Sequence, residues 1–314
     1  MLSYLFRRII TLIILLFLVV SFVFLLIHLI PGDPARIIAG IGATEEAVST
    51  IREEMNLNQP LYIQYIDKMK GLFTGDMGRS LVTDTPVAQI VPKKFGATLE
   101  LIIFGAIFSV IVGVPLGMIA ASKYGSILDI IINILSIIFI SLPVFVVGIF
   151  LIYVFSLNYQ LLPSSGYVSL NEGLLNHFKR LILPSITLGL GLTTINIRMM
   201  RSSLIEELNT DYIRTAIAKG LSSIQAYWKH AMKNSLIPVV TVFSLQIGSL
   251  FGGSVLVEHI FNWPGLSSLL ISSINRRDYP IVEGTMIVIA LVYFIINLFV
   301  DILYTILDPR VKYE

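Results

Sequence analysis

The sequence predicts an all-α integral membrane protein with six transmembrane helices and both termini on the cytoplasmic side. Hydrophobic residues make up 55% of the 314 residues and charged residues only 13%, whereas a soluble domain carries about 25% charged residues. Apolar runs of about twenty residues, long enough to cross a hydrocarbon core of about 30 Å, recur along the chain. Lys and Arg are denser in the segments assigned to the cytoplasm than in those assigned outside, which sets the orientation.

The first span is predicted at residues 9–30. Arg7 and Arg8 precede it, as expected for a cytoplasmic flank. A secretory signal peptide is the competing interpretation, but its apolar region would be about 7–15 residues long and would end at a small-residue cleavage site. This run is longer and ends in Pro-Gly-Asp-Pro at residues 31–34. Residues 1–30 are therefore interpreted as an uncleaved N-terminal anchor.

Residues 31–96 form the longest polar region and predict a small folded insertion on the extracytoplasmic surface. Thr44 can cap one helix, and Pro60 can open a second that ends near Gly71. Apolar residues of that second helix share one face, which favours a packed element over a flexible linker.

The remaining residues, 97–314, predict a core of five helices. Small residues four apart, Gly113 with Gly117 and Gly248 with Gly252, would let helix backbones approach closely in lipid. The third span is long enough to be tilted, or kinked at Pro143. The five predicted spans cover about residues 97–121, 127–157, 181–197, 236–257 and 281–306.

Several chemistries are excluded by what the sequence lacks. There is no cysteine, no Gly-x-x-x-x-Gly-Lys-Ser/Thr phosphate loop, no His-Glu-x-x-His pair and no Gly-x-Ser-x-Gly, so no cofactor or metal site is expected in this chain. The net charge of +2 does not indicate nucleic acid. Ionisable residues within spans are few, and Glu100, Glu283 and Asp301 each lie near a span end. A water-exposed or snorkelling position is expected for each.

The most informative polar stretch is residues 198–238. It carries six Lys or Arg against three Asp or Glu, which predicts a cytoplasmic position. Helical periodicity over 202–219 is interrupted by Gly220, and Ser222 can cap a second helix that runs through Trp228 toward Asn234. We expect two short helices joined at a glycine, which turns the chain where a side chain would collide. A helical loop of this kind favours a docking element over a simple connector.

These features together describe half of a helical pore without an energy source of its own. Polar side chains within the spans are weak candidates for the translocation path, although hydrogen bonds between packed helices are the competing role. These positions are Asn133, Ser136, Asn196, Ser244 and Gln246.

An ordered series of motifs covers nearly the whole chain. It comprises Tyr4-Leu5-x-Arg7-Arg8, Gly75-Asp76-x-Gly78-x-Ser80, Leu183-Pro184-x-x-Thr187-Leu188-Gly189, Asp211-Tyr212-Ile213-Arg214-Thr215-Ala216-x-Ala218-Lys219-Gly220-Leu221, Asn234-Ser235-Leu236-Ile237-Pro238, Trp263-Pro264-Gly265-Leu266 and Leu307-Asp308-Pro309-Arg310. In these residues the chain resembles the membrane permease subunit of the peptide/nickel class of ABC importers, the dipeptide and oligopeptide permease B-type subunits.

The resemblance implies that Arg214-Thr215-Ala216 with Gly220 occupies the place of the importers' Glu-Ala-Ala-x-x-x-Gly motif. This chain keeps the last Ala and the Gly, has Arg214 in place of the acid, and has a longer gap to Pro238 than the general pattern. The implied role is docking into a groove of an ATPase subunit. The residues assigned to it are Asp211, Tyr212, Arg214, Thr215, Ala216, Lys219, Gly220 and Leu221.

The resemblance also implies the partners and the location. These are a second related permease, two ATPase subunits that bind ATP and Mg²⁺, membrane lipid, and an extracytoplasmic solute-binding protein that docks on residues 31–96 and 258–280. The location is the cytoplasmic membrane of a bacterium or archaeon, which the chain crosses several times. The expected function is ATP-driven import of di- and oligopeptides by a non-catalytic subunit. Import of nickel or a metal chelate is the alternative, because the binding protein largely sets the cargo.

Overall fold

The computed structural model describes residues 2–29, 34–40, 42–54 and 57–307. Within these ranges the chain is helical, and the strand-like pairing found there is one isolated bridge between Arg79 and Pro86. Residue 30, which ends the first predicted span, residues 31–33 of the motif that follows it, and residues 308–310 of the C-terminal motif lie outside the described residues.

Thirteen α-helices can be numbered along the described residues, with short π- and 3-10 segments between some of them. They are α1 Leu2–Leu29, α2 Pro34–Ala39, α3 Glu45–Glu54, α4 Leu61–Thr74, α5 Val87–Ser122, α6 Ile127–Ser141, α7 Val144–Leu151, α8 Leu174–Leu208, α9 Asp211–Ala218, α10 Ser223–Ala226, α11 Met232–Ile260, α12 Leu266–Asn275 and α13 Tyr279–Leu307. The π-helical segments are Ile152–Asn158 and Tyr227–Ala231, and the 3-10 turn is Leu170–Glu172.

Four of the described helices are long and apolar enough to cross a membrane, and the count is five if one bent pair forms a single span. The four are Val87–Ser122, Leu174–Leu208, Ile224–Ile260 and Tyr279–Leu298. The bent pair is α6 with α7 and its π-helical extension, and the bend is 109°. The structure is therefore an all-helical membrane fold, and the full count of six spans stays a prediction.

The bend in the third predicted span is at Pro143, as expected, but it is a break rather than a kink. Leu142 adopts an extended conformation with ψ 131°, as residues before proline usually do because the proline ring excludes their α conformation. Pro143 then caps the N-terminus of α7.

The fourth predicted span, residues 181–197, is too short. The observed α8 is continuous from Leu174 to Leu208, so its ends extend well beyond the apolar run that marked the span. The helix begins in a segment that the sequence placed in an outside loop, and Pro184 does not interrupt it. Polar residues such as Arg198 and Glu206 end the apolar run but not the helix, since both are compatible with helical backbone.

The chain divides into two compact units. The first comprises the described parts of residues 1–97 with 264–295, and the second those of residues 98–263 with 296–314. In the first unit Tyr65 of α4 packs edge-on against Phe24 of α1, with ring centroids 5.3 Å apart. Its hydroxyl lies 2.6 Å from Ser21 Oγ. The apolar residues of α4 therefore divide, because Tyr65 is packed while Tyr62 is 65% exposed.

The second unit is built around a seam where α5 and α8 touch through small residues. Gly105, Ser109, Gly113 and Gly117 recur every fourth residue of α5 and face α8. A Cβ at Gly189 of α8 would lie 2.3 Å from the carbonyl oxygen of Gly105, so the two backbones are in contact. The predicted pair Gly113 and Gly117 is thus the second half of a longer series.

The expectation of water-exposed or snorkelling carboxylates is wrong for Glu100 and Glu283. Glu100 Oε1 lies 2.6 Å from Nε2 of the buried His177, and its side chain is 17% exposed. Glu283 pairs with Lys68 of α4, and its side chain is 11% exposed. Both carboxylates lie near span ends but pair with side chains inside the protein, as buried charges must. The sequence spacing did not indicate these partners. The side chain of Asp301 lies outside the described residues.

A further ion pair joins the start of α6 to α8. Asp129, which is 3% exposed, receives Arg201 Nε at 2.6 Å and Nη2 at 2.8 Å in a two-point contact. Asn133 Nδ2 and the Gly125 amide also donate to the Asp129 carboxylate. The guanidinium lies 5.3 Å from the centre of the Tyr124 ring. Both oxygens of the Asp129 carboxylate therefore accept hydrogen bonds. Sequence analysis did not identify this ion pair.

The seam predicts a contrast between two glycines of α8. Gly189→Ala should lower the stability of the detergent-solubilised protein by about 1–3 kcal/mol, because its Cβ has no room against the Gly105 backbone. Gly191→Ala is the control, since a Cβ there meets nothing within 4 Å. Thermal melting of both variants measures the difference. Equal melting temperatures would contradict the seam.

The buried ion pair predicts a second contrast. Asp129→Asn should destabilise the protein by about 3 kcal/mol, because removing one partner leaves Arg201 facing an uncharged amide in a largely desolvated site. Asp84→Asn, which breaks the exposed pair with Arg79, should leave the melting temperature unchanged. In a double-mutant cycle, adding Arg201→Gln to Asp129→Asn should cost little more. Additive effects would show that the two side chains act independently.

Candidate functional site

The polar stretch between α8 and α11 folds as an elbow, defined here as residues 209–231. The predicted single helix over 202–219 is wrong, because α8 ends at Leu208 and α9 begins at Asp211. Asn209 Nδ2 and Thr210 Oγ each donate back to a carbonyl of the last turn of α8. Side chains that bond local backbone in this way compete with helix continuation and favour a break.

The C-terminus of α9 closes in a Schellman motif. The Gly220 amide donates to the carbonyl of Ile217 at 2.9 Å, and the Leu221 amide donates to that of Ala216 at 3.3 Å. These are the two crossed bonds of the motif, and they require a residue with positive φ between them. Gly220 has φ 97°, a conformation that costs other residues steric strain.

The reason for glycine at position 220 therefore differs from the prediction. A Cβ there would meet nothing within 4 Å, so no side chain would collide. The requirement is on the backbone angle alone.

A second capping motif follows without an intervening loop. The Gln225 amide donates to Ser222 Oγ at 3.3 Å, and the Ser222 amide donates to Gln225 Oε1 at 3.1 Å. This reciprocal pair is a capping box, and it confirms the predicted cap at Ser222. Two helix-capping motifs stand back to back at residues 219–225, so the turn has little conformational freedom.

The sequence predicted a separate short helix after Gly220, and the structure differs. Residues Ile224–Ile260 form one helical run of 37 residues, with a π-helical turn at Tyr227–Ala231. Tyr227 donates from its hydroxyl to the Met118 carbonyl of α5 at 3.3 Å. The elbow is therefore continuous with a membrane helix on one side and one short break from α8 on the other.

One buried side chain anchors α9. Ile213 is 2% exposed and belongs to a core of buried residues that joins α5, α8, α9 and the helical run Ile224–Ile260 of the second unit. The other members of this core are Ala121, Met200, Leu204, Ala226, Ala231 and Val239. Burying an isoleucine side chain stabilises by about 1.5–3 kcal/mol, which is enough to hold so short a helix in place.

A chain of polar contacts fixes the other side of α9. Tyr212 donates from its hydroxyl to Glu207 of α8, and Asn234 Nδ2 donates to that same hydroxyl at 3.0 Å. Partial burial, and then the bond to Glu207, raise the pKa of Tyr212 above its usual value. The phenol thus remains protonated at neutral pH and links α8, α9 and α11.

The remaining residues assigned from the sequence lie on the outer surface of the elbow. Asp211, Arg214, Thr215 and Lys219 are exposed, while Ala216 and Leu221 are half-buried. Arg214 lies 3.5 Å from Asp211 one turn earlier, an exposed pair on the same helix. The elbow thus combines a buried anchor with an exposed polar face.

Two cavities lie along α8 in the second unit. One, of about 230 Å³, lies at the α6–α7 break and is lined by Thr187, Gly191, Ile195 and Gln246 among others. The other, of about 570 Å³, lies between α6 and α8 and includes Asn133, Ile195, Arg198 and Ser202. Ile195 lines both, so the two cavities follow each other along one helix.

The weak candidates for the translocation path fall into two groups. Asn133 and Gln246 line the cavities. Ser136 and Ser244 are buried and donate to carbonyls of their own helices. Asn196 is fully buried, and its Nδ2 lies 3.3 Å from the Ser109 carbonyl across the seam. Of these three, only Asn196 makes a hydrogen bond between packed helices, and the two serines bond within their own helices.

The second predicted glycine pair differs from the first. Gly113 and Gly117 lie against α8, where an added Cβ would come within 2.8 Å and 2.7 Å of neighbouring atoms. Gly252 is exposed, and a Cβ there would meet nothing within 4 Å. Gly248 is half-buried. Gly253 was not predicted as a packing position, but a Cβ added there would lie 3.2 Å from Leu188 Cδ1.

Comparison with known proteins covers the whole chain. Residues 1–102 match the N-terminal family model of binding-protein-dependent transport system membrane components, and residues 113–313 match the model of the inner membrane component of these systems. A probable peptide ABC transporter permease, y4tP of Sinorhizobium fredii, is 41% identical over 99% of both chains. The glutathione transport system permease GsiC of Shigella flexneri is 40% identical over 100% of both chains.

A solved structure shares the fold at lower sequence similarity. It is the MetNI methionine ABC transporter in an inward-facing conformation, with a TM-score of 0.55 and 17% identity. The match covers 70% of this chain and 97% of that one. Taken with the family models and the relatives, the helical fold places this chain in the family of binding-protein-dependent ABC transporter permeases of the peptide/nickel class, which are multi-pass proteins of the inner membrane.

Proposed function

We propose that the chain is one of two permease subunits of an ATP-driven importer for di- and oligopeptides. It would form half of the translocation path and couple to the ATPase subunits through the elbow. The relatives favour peptides over the nickel or metal-chelate alternative, because one is a probable peptide permease and another is a permease of a transport system for glutathione, itself a tripeptide.

The proposed topology has six spans with both termini in the cytoplasm. Residues 1–30 are the first span, 31–96 the extracytoplasmic insertion, and 97–314 the five-helix core with the cytoplasmic loop 198–238. The partners are a second permease, two ATPase subunits that hold ATP and Mg²⁺, and an extracytoplasmic solute-binding protein. The chain itself contributes no catalytic group.

The observation that carries the coupling role is the construction of the elbow. Its exposed face offers charged side chains and backbone to a partner, while Ile213 and the Tyr212 hydroxyl tie it to the membrane helices. The two capping motifs at residues 219–225 leave no flexible loop to absorb movement. A partner that displaces the elbow would therefore displace α8 and α11 as rigid bodies, which is how packed helices switch between discrete arrangements.

Gly220→Val tests this coupling. Valine is strained at φ 97°, so the Schellman turn should distort while the complex still inserts and assembles. Peptide-stimulated ATP hydrolysis and uptake should fall about tenfold, within the range of about 5–150-fold expected for loss of a coupling free energy. Gly220→Asn is the control, because asparagine tolerates positive φ better than other side chains. If the valine variant takes up peptide and hydrolyses ATP at wild-type rates, the proposed coupling through the elbow is refuted.

The proposed contact with the binding protein is tested on α4. Tyr62 and Ile66 are 65% and 46% exposed, and they leave an apolar surface free for a partner. The double variant Tyr62→Ser with Ile66→Ser should abolish stimulation of ATP hydrolysis by the binding protein and spare the basal rate. Lys70→Ser, an exposed polar position on the same helix, should change neither rate. Persistent stimulation in the double variant would exclude this docking surface.

A further inference from the structure

One face of α8 lines both cavities. Thr187, Gly191 and Ile195 line the smaller cavity, and Ile195, Arg198 and Ser202 line the larger. Their spacing of three or four residues places them on one side of the helix. A molecule that moves along this face would leave the apolar cavity at the α6–α7 break and meet Arg198 at the far end.

The two arginines at that end differ in their availability. Arg201 donates from Nε and Nη2 to the Asp129 carboxylate and lies over the Tyr124 ring. Its position is therefore fixed and its charge is compensated. Arg198, three residues earlier, is exposed in the cavity and pairs with no acidic side chain that the structure describes. The larger cavity thus carries one uncompensated positive charge, and Ile137, Ile195 and Met199 surround it with apolar surface.

A third wall residue adds an acceptor. Asn133 donates from Nδ2 to both the Asp129 carbonyl and the Asp129 carboxylate. Its amide hydrogens are therefore used, and its Oδ1 remains to accept a hydrogen bond from a ligand. A guanidinium fork next to an amide oxygen matches a carboxylate next to an N–H group. The C-terminal unit of a peptide has both.

We propose that Arg198 binds the carboxylate of the cargo as it passes along α8. The proposal rests on the proposed peptide import and names a specificity-determining residue for it. Guanidinium and carboxylate form two parallel charge-assisted hydrogen bonds, and the apolar surroundings strengthen them relative to water. A cavity of about 570 Å³ has space for a cargo of a few residues.

Uptake by the assembled importer in vesicles tests the proposal. The probes are trialanine with a free carboxylate and trialanine amide, with each rate divided by the wild-type rate for the same probe. Arg198→Gln should lower uptake of the free acid about tenfold, the scale of one charge-assisted interaction, and that of the amide less than about twofold. Arg198→Lys should retain part of the preference, since lysine keeps the charge but loses the fork. Lys123→Gln, an exposed charge in the α5–α6 turn, should leave both rates unchanged.

Photolabelling gives a readout that does not depend on transport. A benzophenone-bearing tripeptide with a free carboxylate should label the α6–α8 region of the wild-type importer, and both amidation and Arg198→Gln should remove that label. Labelling without uptake of either peptide by the wild type would refute the proposed function and leave the site standing. If the wild type takes up peptide but Arg198→Gln is labelled as strongly as the wild type, the site is refuted and the proposed function stands.

The competing ligand is the phosphate of an anionic phospholipid. Uptake should therefore be repeated in vesicles with and without phosphatidylglycerol. An Arg198→Gln effect that is equal for the two peptides, or that disappears when the anionic lipid is omitted, would overturn the proposal.

Discussion

The backbone contact between Gly105 and Gly189 is the constraint on which the second unit depends. Lipid offers no hydrophobic driving force between helices, so close van der Waals packing must supply the association. A side chain at Gly189 would separate α5 from α8, because its Cβ would lie 2.3 Å from the Gly105 carbonyl oxygen. Once the seam has closed, α8 has a fixed position, and α8 carries the cavities on one face and the elbow at its end. The proposed cargo path and the proposed coupling site therefore share one supporting element.

The same arrangement explains how a movement at the elbow would reach the membrane region. Ile213 is buried with Met200 and Leu204 of α8 and with Val239 of α11. Close-packed side chains of this kind transmit displacement because they leave no void to compress into. The Ser203 hydroxyl also donates to the Ser235 carbonyl at 3.1 Å, which ties the two long helices together next to the elbow. The elbow is thus joined to both helices by apolar and polar contacts.

Sequence reasoning predicted the membrane class, a bend at Pro143, the cap at Ser222 and the family, because each depends on local chemistry or on motif order. It missed the Asp129–Arg201 pair, since the partners are 72 residues apart and nothing in the spacing connects them. It also ended spans at the first charged residue, although α8 continues past Arg198. The series of small residues at every fourth position from Gly105 to Gly117 is present in the sequence. Only Gly113 and Gly117 were predicted to pack, because Ser109 interrupts the glycine pattern.

The break between α6 and α7 has a chemical consequence. Pro143 has no N–H, so the carbonyl of Phe139, four residues earlier, loses its helical partner. Phe139 lines the smaller cavity together with Leu142 and Val144 from either side of the break, and irregular backbone at membrane depth is tolerated where it borders such a space. A main-chain carbonyl without a helical partner accepts from any N–H donor, whichever side chain the donor residue carries. For the proposed peptide cargo, an acceptor of this kind would bind peptides of many sequences alike, because every peptide carries backbone N–H groups.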